Sequence, residues 1–187
     1  MAKLVLVILL FSLGMAMPLL HGIVEDDDEW FQNLHYAKHK VTRLHFYLHD
    51  TLSGKNPSSV QVAQASSTKK SSTIFGAVFI VDDPLTESPE PTSRPVGRAQ
   101  GLEGSAGQQE LGLLVAMNFV FTTGKFNGSS LTILGRNTAL HPPSEMPIIG
   151  GTGVFRLARG FVIANTHSLN VTSGNGILEY SVVAIHY

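Results

Sequence analysis

The chain has no cysteine among its 187 residues. Thiol nucleophiles, disulfide staples and iron–sulfur clusters are therefore excluded, and stability must come from a hydrophobic core or from association of subunits. Charge is sparse too: 14% of residues are Asp, Glu, Lys or Arg, and the 13 basic side chains nearly balance the 14 acidic ones. With no basic cluster, nucleic acid is not an expected partner. After the amino-terminal apolar run nothing resembles a stop-transfer segment, so no membrane anchorage is expected. Familiar catalytic signatures are also missing. Gly150-Gly151-Thr152-Gly153 lacks the glycine spacing of a dinucleotide loop and is better read as a tight turn, and Gly104-Ser105-Ala106-Gly107 has the wrong spacing for a nucleophile elbow. His45 and His49 share a strand face without a third ligand nearby, so neither a metal site nor a cofactor is expected.

What is present begins with Lys3, the apolar run Leu4 to Leu13, and small residues at Gly14 and Ala16. This pattern reads as a secretory signal peptide over residues 1–22, with cleavage after Ala16 or Gly22. Residues 23–40 contain the acidic run Glu25-Asp26-Asp27-Asp28-Glu29 and no sustained period, and read as a flexible acidic leader. Residues 41–187 are then long enough for one domain with a full core. Asn127-Gly128-Ser129 and Asn170-Val171-Thr172 are glycosylation sequons beside turn residues, whereas Pro57 blocks the one at Asn56.

From Val41 onward the chain reads as strands. Segments at 41–50, 59–64, 75–81, 96–104, 111–122, 129–137, 161–169 and 177–187 are rich in β-formers and separated by Gly, Pro and Asn. Asp82-Asp83-Pro84 is expected to break the third, and Thr123 to Gly128 to form a hairpin turn. Leu111 to Thr122 is apolar on both faces, which predicts the core on one side and another layer or subunit on the other. Seven or eight strands without helical period indicate an antiparallel barrel or sandwich, and a barrel leaves a lumen.

One strand is chemically odd. Leu44, Phe46, Leu48 and Asp50 share a face, so a carboxylate ends an otherwise greasy row. Either Asp50 meets water as the turn begins at Thr51, or it points into a ligand cavity with apolar walls and one acid.

Five ordered motifs then narrow the class: Leu44 to Asp50, Val81 to Thr86, Val96 to Gly101, Leu134-Gly135-Arg136-Asn137, and Ile149 to Gly160. In order and spacing they resemble the plant dirigent family, over essentially all of the chain after Val41. The resemblance implies an all-β fold, an eight-stranded antiparallel β-barrel like that of allene oxide cyclase, with a central cavity. It further implies a protein secreted to the plant apoplast or cell wall that forms a homo-oligomer, a trimer or alternatively a dimer. The implied ligands are phenolic radicals or quinone methides. A laccase or peroxidase would generate the radicals, and the barrel would fix the stereochemistry of their coupling to lignans by orientation alone. The family also contains pterocarpan synthases, lyases that dehydrate an isoflavanol through a quinone methide; there an acid must protonate the departing hydroxyl. A non-catalytic defence or wall-associated binding protein is the third reading.

Asp50 falls on the family motif for a pocket aspartate, and is the catalytic candidate under either chemistry. Phe46, Asp83, Asn137, Thr166 and Leu178 are the further pocket candidates. The chain departs from the lignan-forming pattern in several ways: Asn137 stands where an aspartate would be, Ser144 where an arginine would be, Leu102-Glu103 where a tyrosine is expected, and that subgroup's cysteine pair is missing. The Leu-Gly-Arg-Asn motif and the His186-Tyr187 ending look like the broader subgroup that includes the pterocarpan synthases. The tyrosine and the loop arginine are expected there too, and this chain lacks both.

Overall fold

The computed structural model describes residues 30–187. The expected signal peptide and the acidic run lie outside the described residues. Residues 30–34 form a short helical stretch in which the Trp30 and Phe31 rings meet edge to face at 5.1 Å. The rest, His39–Tyr187, is a separate compact unit.

That unit contains nine strands: β1 (Lys40–Asp50), β2 (Ser59–Ala63), β3 (Val78–Thr86), β4 (Pro95–Ser105), β5 (Leu113–Phe121), β6 (Ser130–Asn137), β7 (Ser144–Thr152), β8 (Arg159–Leu169) and β9 (Gly176–His186). The order is β1-β9-β8-β7-β6-β5-β4-β3-β2, every pairing is antiparallel, and β1 also pairs with β3. Eight strands thus close into a barrel, and β2 is an extra strand laid along β3. Among the described residues no helix is long and apolar enough to cross a membrane.

Closure is strongly staggered, as barrel geometry requires. Tyr47 and Leu48, near the end of β1, pair with Thr86 and Leu85, at the end of β3. The first half of β3 therefore overshoots β1, and β2 fills the space, pairing Ser59 with Val81 and Val60 with Ile80.

The same stagger explains why Asp82-Asp83-Pro84 does not break β3, contrary to the expectation from sequence. The Asp82 N–H donates to Ser58 O at 2.8 Å, so the nitrogen two residues on points to the same side. There the pairing with β2 has ended and the pairing with β1 starts only at Leu85, so a residue without an N–H costs little in the ladder. Strand β7 was hidden from sequence by Pro147 and the glycines at 150 and 151. Its alternation is nonetheless clear: Ser144, Met146 and Ile148 are buried while Glu145, Pro147 and Ile149 are exposed. The count of eight matched, but with β2 included and β7 omitted.

The lower barrel is filled by aromatics. Phe46 meets Phe119 edge to face at 5.1 Å and stacks on Tyr180 at 6.0 Å. Phe121, Phe126 and Phe155 continue the cluster, and Phe155 touches the buried His186 ring. Phe155 lies in the tight turn that follows β7, the segment superficially like a phosphate loop.

Strand β5 has the expected core face, with Val115, Met117, Phe119 and Phe121 buried; among the described residues no second layer covers the opposite face, where Leu114 is 47% exposed. Across strands, Val60, Ile80, Leu102, Ala116 and Leu134 are mutually in register and form one apolar row on the barrel's outside. The adjoining row is polar: Gln100 Nε2 donates to Asp82 Oδ1 at 3.0 Å and Thr132 Oγ1 to Asn118 Oδ1 at 2.8 Å.

Strands approach very closely at Gly160. Its φ is +146°, and a Cβ there would lie 2.0 Å from Val183 O. Gly160→Ala is expected to cost about 2 kcal/mol or more in urea-denaturation stability; a loss under about 0.5 kcal/mol would contradict this register.

Candidate functional site

Above the aromatic tier the barrel encloses a chamber of about 90 Å³, or about 570 Å³ when the open mouth is counted. Leu48, Leu113, Leu169 and Leu178 supply apolar wall, and Tyr180 lies among the lining residues. The rings of Phe46 and Phe119 support Tyr180 from below. Asp50, Asp83, Glu103, Asn137, Thr166 and Ser168 bring the polar groups. A wider groove of about 530 Å³ adjoins it, sharing Asp50, Ser168, Leu169 and Gly176 and bounded by His49, Pro84 and Asn170.

The stagger brings the acids together. Continued two residues past Leu48 and Leu85, the β1–β3 register sets Asp50 level with Asp83. Like charges opposite one another on neighbouring strands repel, and burial makes matters worse. Desolvation lifts Asp50 from 3.8 to about 6, against the pull of the Ser59 hydroxyl. Desolvation first and the Asp50 charge second lift Asp83 to about 7, although Ser58 Oγ donates to Asp83 Oδ1 at 2.5 Å. Glu103, half-buried on the inner face of β4, reaches about 8, again by desolvation and then by the charges of Asp50 and Asp83. Burial and the same three acids also push the Tyr180 phenol up. One atom stands out: Asp50 Oδ1 is buried without a hydrogen-bond partner.

Five of the six residues singled out from sequence, namely Asp50, Asp83, Asn137, Thr166 and Leu178, border this chamber. Phe46 does not; it is 1% exposed and packed in the core. Asn127 and Asn170 both lie on exposed turns, Asn170 at the groove beside the chamber and Asn127 between β5 and β6 at the barrel's other end. Sequence reasoning missed Glu103 and Tyr180. Glu103 was visible only as a departure from a family pattern, yet simple alternation from the buried Ala99 puts it on the inner face of β4.

Two of the other departures are bonded to each other. Ser144 Oγ donates to Asn137 Oδ1 at 3.0 Å and accepts the Thr138 N–H at 2.9 Å. That leaves the Asn137 amide NH₂ as a donor for the chamber. Where the lignan-forming pattern implies an acid and an arginine, this chain has a neutral pair.

The family model for dirigent-like proteins matches residues 41–185. The chain belongs to the dirigent family. It is 53% identical to Dirigent protein 23 of Arabidopsis thaliana over 150 residues, 80% of each chain. It is 46% identical to Pterocarpan synthase 1 of Glycyrrhiza echinata over 155 residues, 82% of each. The solved structure of the pterocarpan synthase dirigent protein GePTS1 superposes with a TM-score of 0.76 at 46% identity, covering 81% of this chain and 87% of that one. The closed eight-stranded antiparallel barrel is that of dirigent protein structures.

The electrostatics predict an unusual pH dependence of stability. Each acid titrates near 4 when unfolded and between about 6 and 8 when folded. Above pH ~4 the unfolded chain sheds protons that the folded chamber keeps, so raising the pH toward ~8 draws stability away. The melting temperature should be lower at pH 8 than at pH 5, and Glu103→Gln should flatten the upper part of that fall. A melting temperature that rises across the interval would contradict the buried carboxyl cluster.

Proposed function

We propose that this dirigent-family protein is a lyase of the pterocarpan-synthase kind, using a chamber carboxyl to expel a benzylic hydroxyl from a phenolic substrate. The observation that carries the reading is the set of three acids held around neutrality in one mostly apolar chamber. General acids work best with a pKa near the working pH. In the step itself the carbon–oxygen bond breaks, and the hydroxyl leaves as water with the carboxyl's proton. A conjugated phenol gives its proton to a neighbouring carboxylate, and the electron pair closes a quinone methide. A second phenolic oxygen of the substrate then attacks the methide carbon and its proton restores the acid, while the neighbouring carboxyl returns its proton to the quinone oxygen and so regenerates the first phenol; the net change is loss of water. Asp50, with its unpartnered oxygen, is the first candidate for the acid, and Asp83 for its neighbour.

Chamber size supports chemistry on one molecule. About 90 Å³ is the volume of roughly three waters at ~30 Å³ each, too little for two phenols side by side. The groove of about 530 Å³ gives the second reading its support, because a second phenol fits there. In that reading a laccase or peroxidase makes phenoxy radicals from a substrate such as coniferyl alcohol, and the chamber orients their coupling to an optically active lignan.

The proposal includes secretion to the apoplast, supported by the amino-terminal run Leu4 to Leu13 and by sequons on exposed turns. It also includes a homo-oligomer, a trimer by family resemblance. The row Val60, Ile80, Leu102, Ala116 and Leu134 is the face that association would cover.

Incubation with an isoflavanol and no oxidant should yield the dehydrated, ring-closed product. Asp50→Asn should lower that rate by about 10²-fold or more with the melting temperature unchanged or raised. No product there, together with one enantiomer from coniferyl alcohol plus a one-electron oxidant, would replace the lyase reading by the second. For assembly, Leu134→Glu should reduce the sedimentation coefficient to that of a monomer, and an unchanged coefficient would remove this face from the interface.

A further inference from the structure

Electrical imbalance distinguishes this chamber. Asp50, Asp83 and Glu103 all border it, and no Lys, Arg or His is among its lining residues. Arg98 sits on β4 but faces outward, paired with Asp82. His49 borders only the adjoining groove and is bonded to Thr86 Oγ1 at 2.7 Å. Donors within reach are few. Ser58 serves Asp83 and Ser59 serves Asp50, while Asp50 Oδ1 is left buried without a partner. Glu103 is half-buried on β4, and among the described residues no hydrogen-bond donor is paired with its carboxyl. Buried carboxyl oxygens without donors are costly unless something else supplies the donors or the charge. Among the described residues no group of His, Asp and Glu is arranged to hold a metal ion, whereas an organic cation would supply both donors and charge.

We propose that the chamber binds a phenolic ligand bearing a protonated nitrogen, with the Glu103 carboxylate receiving the ammonium group. The apolar wall from Leu113, Leu178 and Leu48 accommodates the ring, and an ammonium group offers three donors to acceptors that have none. A positive charge in this low-dielectric space relieves the mutual repulsion of the three acids, so binding releases protons from them. Glu103 is the determinant because it stands where a tyrosine is expected in the family and adds the third acid. The inference rests on the chamber and not on the dehydration reading, and either can fail without the other.

Three probes with one ring and one shape isolate the charge: tyramine, tyrosol and 4-ethylphenol. Calorimetric titration of the intact protein at about pH 7.5 should give tyramine an affinity about tenfold or more above that of tyrosol, and above that of 4-ethylphenol. The apparent enthalpy should vary with the ionisation enthalpy of the buffer, which reports the released protons. Near pH 4.5, where Asp50, Asp83 and Glu103 are protonated, the preference should vanish; burial lowers the pKa of His49 at the adjoining groove, and Arg98 holds that of outward-facing Asp82 down. Glu103→Gln should bring the tyramine-to-tyrosol ratio close to one at about pH 7.5, while Glu103→Asp should retain a preference. A ratio near one in the wild type, a preference that survives Glu103→Gln in a folded variant, or no tyramine binding at millimolar concentration would each overturn the proposal.

Discussion

The stagger at which β1 meets β3 is the constraint on which the rest depends. A barrel of eight strands closes only with an offset, and here the offset pairs the end of β1 with the end of β3. Three consequences follow from that one register. It brings Asp50 level with Asp83, it leaves half of β3 for β2 to cover, and it opens the gap in which Pro84 is harmless. A register one residue different would turn Asp50 outward and His49 toward the lumen. The acid pair is thus a property of closure as much as of either strand.

Below the seam, the aromatic tier does work that the chamber cannot do for itself. Phe46, Phe119 and Tyr180 pack the lower barrel tightly, which sets a rigid floor under a polar space. Burial of those rings supplies the favourable free energy against which three desolvated acids are tolerated. The neutral Asn137–Ser144 pair matters for the same reason. Without a cation in the chamber, the Ser58 and Ser59 hydroxyls do not offset desolvation, which together with mutual repulsion keeps protons on the acids. Fold and chemistry are linked here by what the chamber lacks.

Much of this was legible in the sequence, and the exceptions have physical causes. Alternation along Leu44 to Asp50 identified the inward row and its terminal acid because strand period is a local property. The hairpin at 123–128 was legible for the same reason. Pro84 and Pro147 misled because a proline's tolerance depends on which neighbour its nitrogen faces, and that is set by pairing partners far away in sequence. Phe46 sits on the right face but at the wrong height, since depth along a barrel axis is fixed by shear and not by alternation. Glu103 was passed over because its significance depends on two other acids, 20 and 53 positions away along the chain, converging on one space.

The central claim is that Asp50, Asp83 and Glu103 share one desolvated chamber and hold protons near neutrality. Carbon-detected NMR of the side-chain carboxyls, followed across pH on protein labelled with carbon-13, reads this directly. The account predicts three carboxyl resonances titrating between about pH 6 and 8, with Glu103→Gln removing the highest and shifting the other two downward. Every carboxyl titrating below about pH 5, in the range of exposed Asp and Glu, would contradict it.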